Sequence, residues 1–150
     1  MAPQTKITPS DCTCLAVRQA ARHVTQFYDQ HLASSGLRVT QFSILSKLKG
    51  LGPMTINALA AEMVMDRTTL GRNILPLERD RLIEIRPGRN DRRSKELHLT
   101  SAGTERLQRA RAAWREAQTQ FATAFGEQRT AALRTMLRSV TATELPTAQV

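Results

Sequence analysis

Residues 55–75 read TINALAAEMVMDRTTLGRNIL and contain two short helical patterns with a turn of about three residues between them. Thr55 and Asp66 are suitable N-caps, because their side-chain oxygens accept from the first free N–H groups of a helix. The apolar residues recur at helical spacing: Ile56, Leu59, Ala60 and Met63 in the first pattern, and Leu70, Ile74 and Leu77 in the second. Two short helices joined by a tight turn, the second of them basic, predict a helix-turn-helix.

The polar side of the second helix carries residue types that contact DNA bases and phosphates. The predicted contact residues are Arg67, Thr68, Thr69, Arg72 and Asn73. In an isolated helix, an ordinary solvated face would explain them equally well, but here a second basic element follows. Pro76 has no N–H to donate to the carbonyl of Arg72, so we expect a kink near residues 72–76 and a bent final turn.

That second basic element is RPGRNDRRSKELHLT, residues 86–100. Residues 82–86 and 95–100 predict two antiparallel strands, and residues 87–94 the tip of a hairpin. A basic hairpin after a DNA-reading helix is a wing, so we expect Arg89, Arg92 and Arg93 to lie against the backbone or the minor groove. Asp91 is predicted to orient Arg93 through a bidentate ion pair, or to close an Asx-type turn, or both.

The composition agrees with a single, mainly helical domain that binds a polyanion. The chain has 150 residues, 41% of them hydrophobic and only 4% aromatic, and its net charge of +9 comes mostly from arginine. Such an excess implies nucleic acid or an anionic membrane surface as a partner, although a merely basic protein is the plain alternative. No stretch approaches the roughly 18 apolar residues of a membrane span or resembles a signal peptide, so we expect a cytoplasmic protein without a membrane partner.

Apolar stripes extend beyond the helix-turn-helix, at residues 10–33 and 101–140, where long helices are predicted with an interruption at Gly126. They offer more apolar surface than a winged helix of about 65 residues can cover. A second copy of the chain is the simplest partner, which predicts a homodimer.

In this order of elements and in several short motifs, the sequence resembles the MarR family of bacterial transcription regulators. The most specific likeness is DRRSKELHLT, residues 91–100, which is similar to the family's wing signature; residues 37–42 (LRVTQF) and Leu59-Ala60 also match. The likeness covers about residues 10–140. It implies a mainly α winged helix-turn-helix within a single domain, residues 1–150. The DNA-binding core would occupy about 37–100, and dimerisation helices would lie at about 10–33 and 101–140.

The resemblance also implies a dimeric regulator, commonly a repressor, that binds a pseudo-palindromic operator in double-stranded DNA. Asp91 and Arg93 match the wing pair of the family, and residues 67–73 match its DNA-reading face. The chain departs from the family's pattern at Pro76 and at Cys12-Thr13-Cys14. The proline puts the distal contacts of the helix in doubt, and the cysteines leave the signal open.

No cofactor is expected to be required, but a signal molecule is. By resemblance, its pocket lies between the dimerisation helices and the winged-helix core, and the residues that would line it are His23, Phe27, His31, Phe42 and Trp114, although each also suits an ordinary core position. Cys12 and Cys14 lie in the predicted first turn of a helix, which favours thiolates that react with oxidants or bind a soft metal or metalloid. They are also compatible with incidental small residues near the dimer seam, and the identity of any metal is open.

No arrangement of a nucleophile and a base, no paired carboxylates and no phosphate-binding glycine loop is visible, so the chain is predicted not to be an enzyme. Two alternatives to a regulator remain from other classes. One is a basic protein that coats nucleic acid without reading its sequence. The other is a thiol-dependent redox enzyme.

Overall fold

The computed structural model describes residues 6–149 and shows a mainly helical chain with one small sheet. The helices are α1 (Thr13–Leu32), α2 (Val39–Leu51), α3 (Ile56–Met63), α4 (Arg67–Arg79), α5 (Ser101–Phe125) and α6 (Glu127–Ala142). The strands are β1 (Met54–Thr55), β2 (Ile83–Pro87) and β3 (Lys95–Leu99). This confirms the predicted winged helix-turn-helix with long helices on both sides. Residues 1–5 and 150 of the predicted single domain lie outside the described residues. Within residues 6–149, no helix is long and apolar enough to cross a membrane.

One continuous apolar core holds the winged helix together, between α2, α3, α4, the sheet and the first half of α5. The predicted inward faces of the two short helices are confirmed, because Leu59 on α3 and Leu70, Ile74 and Leu77 on α4 are almost completely buried. Each such side chain contributes roughly 1.5–3 kcal/mol when it is fully buried. The packing therefore fixes α4 rigidly, with its opposite side facing solvent.

The sheet has three antiparallel strands in the order β1-β3-β2. The predicted hairpin is confirmed as β2 and β3, paired from Ile83 with Leu99 to Pro87 with Lys95. The additional strand β1 pairs with β3 through Met54 with Leu97 and Thr55 with Glu96. Two residues are too few to show the alternation of a strand, so β1 could not be recognised from the sequence. This pairing connects the start of α3 directly to the wing.

The predicted start of α1 at Ser10 is wrong. Ser10 lies in a short 3₁₀ turn, Pro9–Asp11, and the helix begins at Thr13 with Cys12 as its N-cap. The Cys12 Sγ accepts the backbone N–H of Leu15 at 3.4 Å. Cys12 therefore lies at the helix end rather than within the first turn.

Thr40, a suitable N-cap by residue type, lies inside α2, which begins one residue before it, at Val39. The Val39 N–H donates to Asp29 Oδ1 at 2.7 Å, so the end of α1 supplies a hydrogen-bond acceptor to the start of α2. The predicted caps of α3 and α4 are confirmed: Thr55 Oγ1 accepts from the Ala58 N–H at 3.1 Å, and Asp66 caps α4. Distant acceptors such as Asp29 cannot be found from local sequence.

Pro76 lies inside α4, which continues as a single helix to Arg79. After the helix, Arg81 adopts a left-handed conformation with φ of 56°. The kink near residues 72–76 stays a prediction. A kink there would lie after Arg67, Thr68 and Thr69, the contact residues in the first turn of α4.

The flanking helices leave much apolar surface uncovered. Helix α1 packs against α5 through its C-terminal half, where Tyr28 and Leu32 are buried, whereas its N-terminal half is exposed. Helix α6 begins after Gly126, as predicted, and packs against the end of α5. The exposed apolar residues of these two helices are Leu15, Val17, Met136, Leu137 and Val140, named here the apolar flank.

Candidate nucleic-acid interface

The start of α4 is held in place by Asp66. Its Oδ1 accepts the backbone N–H of Thr69 at 2.8 Å, and its Oδ2 accepts the hydroxyl of the same residue at 2.8 Å. These two hydrogen bonds, the backbone one foremost, lower the pKa of the Asp66 carboxyl below its ordinary value. The N-terminal turn of α4 is therefore fixed before any partner binds, with its free N–H groups and its exposed side chains in defined positions.

Three of the five predicted contact residues on α4 are exposed and keep their polar groups free of hydrogen bonds to described residues. We name Arg67, Thr68 and Arg72 the recognition face. The other two have internal partners: the hydroxyl of Thr69 donates to Asp66, and the amide of half-buried Asn73 donates to the Thr69 carbonyl at 2.8 Å. Their polar groups help to order the helix surface.

The tip of the wing is a tight, hydrogen-bonded turn. Asp91 Oδ1 accepts the backbone N–H of Arg93 at 2.9 Å, and the Asp91 carbonyl accepts both the N–H and the hydroxyl of Ser94, at 3.1 and 2.7 Å. A Cβ atom on Gly88 would lie 2.1 Å from Ser94 Oγ, so only glycine fits there. The turn explains why the chain needs an acid among arginines.

The predicted bidentate pair of Asp91 with the Arg93 guanidinium is wrong for this structure. Among the described residues no ion pair joins these two side chains, and the carboxylate binds the backbone of Arg93 instead. The alternative interpretation, an Asx-type turn, is confirmed. Asp91 therefore positions the arginine through the main chain, which leaves the guanidinium free to contact a partner.

The wing arginines, Arg89, Arg92 and Arg93, are all exposed. The Arg89 Nε lies 3.6 Å from Glu96 Oε1, a carboxylate that also lies 2.9 Å from His98 Nε2. The other two wing arginines form no ion pair with any described residue. An exposed, uncompensated pair of guanidinium groups at the end of a rigid hairpin suits a phosphate-rich surface.

The predicted effector residues do not form one pocket. Phe42 and Trp114 stack with centroids 5.4 Å apart, beside a cleft of about 460 Å³ between α2 and α5. His23 and Phe27 line a separate cavity of about 420 Å³ between α1 and α5. The two cavities have no lining residue in common, so this structure does not bring these four residues together in the one shared pocket that was expected.

His31, the fifth predicted effector residue, bonds to its own helix and to α5. Its Nδ1 lies 2.9 Å from the Phe27 carbonyl, and its Nε2 lies 3.0 Å from Gln120 Oε1. These contacts, the first foremost, raise the pKa of His31 above its ordinary value. The hydrogen bond to Gln120 therefore joins α1 to α5.

Both cysteines are exposed and form no disulfide. They lie at the uncovered end of α1, next to Leu15 of the apolar flank. In the described part of the chain, no three His, Cys, Asp or Glu side chains come close enough together to hold a metal ion. The thiols are therefore accessible to reagents in this structure.

Two residues near the wing were not singled out in the sequence. Asn57 at the start of α3 and Lys95 at the start of β3 line one polar cavity together with residues of α4 and the wing tip. Lys95 belongs to the quoted wing motif, but its strand position gave no reason to expect a contact with α3. The short strand β1, invisible in the sequence, brings the two elements together.

The fold and the basic surfaces define a winged helix-turn-helix protein of the regulator class. A model of the MarR family matches residues 37–95. Among solved structures, the transcriptional regulator MosR of Mycobacterium tuberculosis in complex with DNA is 34% identical, with 89% of this chain and 99% of that chain covered and a TM-score of 0.76. A second crystal structure of MosR is 32% identical, with 91% of this chain and 100% of that chain covered and a TM-score of 0.74. The chain belongs to the MarR family, as the sequence motifs predicted.

More distant structures share the fold alone. A MarR variant of Escherichia coli, complexed with operator DNA, is 17% identical, with 85% of this chain and 91% of that chain covered and a TM-score of 0.75. No curated protein sequence matches the chain. The chain spans almost the full length of these solved relatives.

Proposed function

We propose that the chain is a homodimeric transcriptional regulator that binds a pseudo-palindromic operator in double-stranded DNA. The observation that carries this proposal is the placement of two basic elements on one rigid core: the recognition face on α4 and the wing arginines on the hairpin that follows it. A helix fits the major groove, and a hairpin beside it reaches the backbone or the adjacent minor groove. The net charge of +9 favours binding to a polyanion. The DNA complex of MosR, a 34% identical relative, supports the same partner.

A second copy of the chain is the partner that we propose for the apolar flank. Two of its residues, Val17 and Leu137, line a cavity of about 410 Å³ between α1, α5 and α6, together with other apolar side chains such as Ala21. A two-fold axis through this region would bury the flanks of both copies against each other. It would also place two recognition faces on one side, which suits half-sites about one helical turn apart.

We further propose that the dimer represses transcription and that a signal releases it. Repression is the outcome that the family resemblance favours. The flanking helices contain the proposed dimer contacts and also hold the two winged-helix cores. A change in the position of these helices therefore alters the spacing of the two recognition faces. A displacement of a few ångströms would spoil the fit to both half-sites together.

Two kinds of signal are compatible with the surface of this chain. One acts at the thiol pair, Cys12 and Cys14, which is accessible to peroxides and to soft metal or metalloid ions at the end of α1, beside the apolar flank. The other acts at the cleft beside Phe42 and Trp114, whose rim carries Lys47, Arg111 and Arg115 and suits a planar, anionic ligand.

A double Cys12→Ser, Cys14→Ser variant distinguishes the two kinds of signal. Release of labelled promoter DNA is measured with hydrogen peroxide, with arsenite or zinc, and with an aromatic acid such as benzoate. Loss of the response to peroxide or to the ions assigns the signal to the thiols. A response to the aromatic acid that persists in the double variant but disappears in Trp114→Ala assigns it to the cleft. Steady turnover of peroxide would instead support the redox-enzyme alternative.

Selection from a pool of random duplexes tests the function itself. The purified protein is expected to enrich a pseudo-palindrome with half-sites about one helical turn apart, and the affinity should fall steeply with salt. A pool that shows no enriched motif after repeated rounds would favour the basic coating protein and would reject the regulator.

A further inference from the structure

The wing, α3 and α4 enclose a small polar groove on the side of the domain that carries the recognition face. It has a volume of about 370 Å³. Its walls come from three separate elements: the start of α3 with Thr55, Ile56 and Asn57, the start of α4 with Arg67, and the wing with Asp91, Arg93, Ser94 and Lys95. We name it the inter-element groove. It fills the space between the two parts proposed to contact DNA.

The groove is strongly cationic. Arg67, Arg93 and Lys95 are exposed, and none of them forms an ion pair with a residue that the structure describes. The one carboxylate in the lining, Asp91, accepts the backbone N–H of Arg93 and thereby closes the wing turn. The exposed amide of Asn57 adds a hydrogen-bond donor on the opposite wall. Three cations around one cavity, one from α4 and two from the wing, suit an anion with several acceptor oxygens.

The groove is also rigid. Strand β1 pairs with β3, with Thr55 opposite Glu96, directly beside Lys95 at the start of β3. The side chain of Thr55 caps α3 at the same place. The wall formed by α3 and the wall formed by the wing are therefore joined by a ladder of backbone hydrogen bonds, which fixes the backbone of Asn57 relative to that of Lys95.

The geometry points to a backbone phosphate of DNA as the occupant, an inference that rests on the proposed function. With α4 in the major groove and the wing in the adjacent minor groove, the sugar-phosphate strand between these two grooves must pass between α4 and the wing. The inter-element groove lies there. We propose that it holds one phosphate of that strand in each half-site, that Lys95 and Arg67 form ion pairs with it, and that Asn57 donates to it.

Single methylphosphonate substitutions in the operator test this assignment, since each removes one phosphate charge. With the wild-type protein, one position per half-site, between the bases protected in the major groove and those protected in the minor groove, should weaken binding about tenfold. In Lys95→Gln the same substitution should weaken binding by clearly less than tenfold, because only Arg67 then forms an ion pair with the phosphate. The slope of log affinity against log salt should become less steep by about one for each protomer. Lys49→Gln, which removes an exposed lysine at the end of α2, is the matched control and should keep the wild-type pattern.

Two results would overturn the inference. The first is a folded Lys95→Gln protein, with unchanged circular dichroism and melting temperature, that keeps the full methylphosphonate effect and the full salt slope. The second is displacement of wild-type protein from DNA by millimolar inorganic phosphate beyond the effect of chloride at equal ionic strength, which would assign the groove to a free anion. If the wild-type protein prefers no sequence at all, the proposed function itself fails, and this result is distinct from both.

Discussion

Leu137 offers a quantitative test of the proposed dimer. Its side chain is 44% exposed on α6 and borders the cavity between α1, α5 and α6. Complete burial of a leucine contributes roughly 1.5–3 kcal/mol, so burying the exposed part contributes about 1 kcal/mol. A two-fold interface contains the residue twice, and Leu137→Ala should therefore weaken the dimer by about 2 kcal/mol. This corresponds to a roughly 30-fold higher dissociation constant.

Sedimentation velocity over a range of protein concentrations measures that constant directly. Leu51→Ala is the matched control, because Leu51 is an exposed leucine at the end of α2, outside the apolar flank. The control should dimerise like the wild type. The reasoning is refuted if Leu137→Ala dimerises as tightly as the control, or if the wild-type protein sediments as a monomer at micromolar concentration.

Further predictions concern the DNA surface, the core and one titrating group. Arg72→Ala should cost about 1–3 kcal/mol of operator binding and relax specificity at one base pair per half-site, as read from a panel of mutated operators. Asp91→Ala should weaken DNA binding although it removes a negative charge, since the wing turn is lost; tighter binding in a gel-shift titration would contradict this role. Gly103→Ala should destabilise the fold in urea by 1–3 kcal/mol or more, because its Cβ would lie 2.1 Å from the Leu82 carbonyl oxygen, whereas Gly71→Ala, with open space, should not. The pKa of His31 is raised in the folded protein, so its stabilising effect is complete below about pH 6 and is lost as the pH rises through the folded pKa. His31→Gln should therefore make the melting temperature less dependent on pH above about pH 6, and an unchanged profile would exclude the contribution.

Local patterns in the sequence are sufficient to predict much of this structure. Short-range spacing places Leu70, Ile74 and Leu77 on one side of α4, and Asp66 at its cap, because both depend only on neighbours in the chain. The hairpin is equally local, since its strands alternate and Gly88 marks its turn. For these reasons the winged helix-turn-helix could be predicted, and with it the exposed basic residues on α4 and the wing.

The remaining features depend on contacts between distant residues. The capping of Val39 by Asp29 and the pairing of β1 with β3 join segments that the sequence does not connect. For Asp91 the sequence allowed two hydrogen-bond partners, because both the Arg93 guanidinium and a backbone N–H lie within reach of its carboxylate. Its choice of the Arg93 N–H follows from the turn geometry. The grouping of Asn57 with Lys95 likewise required the folded chain.

The affinity of the purified protein for its own promoter duplex, compared with a shuffled duplex of equal composition and length, tests the central claim most directly. Both dissociation constants are measured at the same near-physiological salt concentration, because salt changes them together. A sequence-reading dimer should bind the promoter at least about a thousandfold more tightly. Equal affinity for the two duplexes would contradict the claim and identify a protein that coats DNA through charge alone.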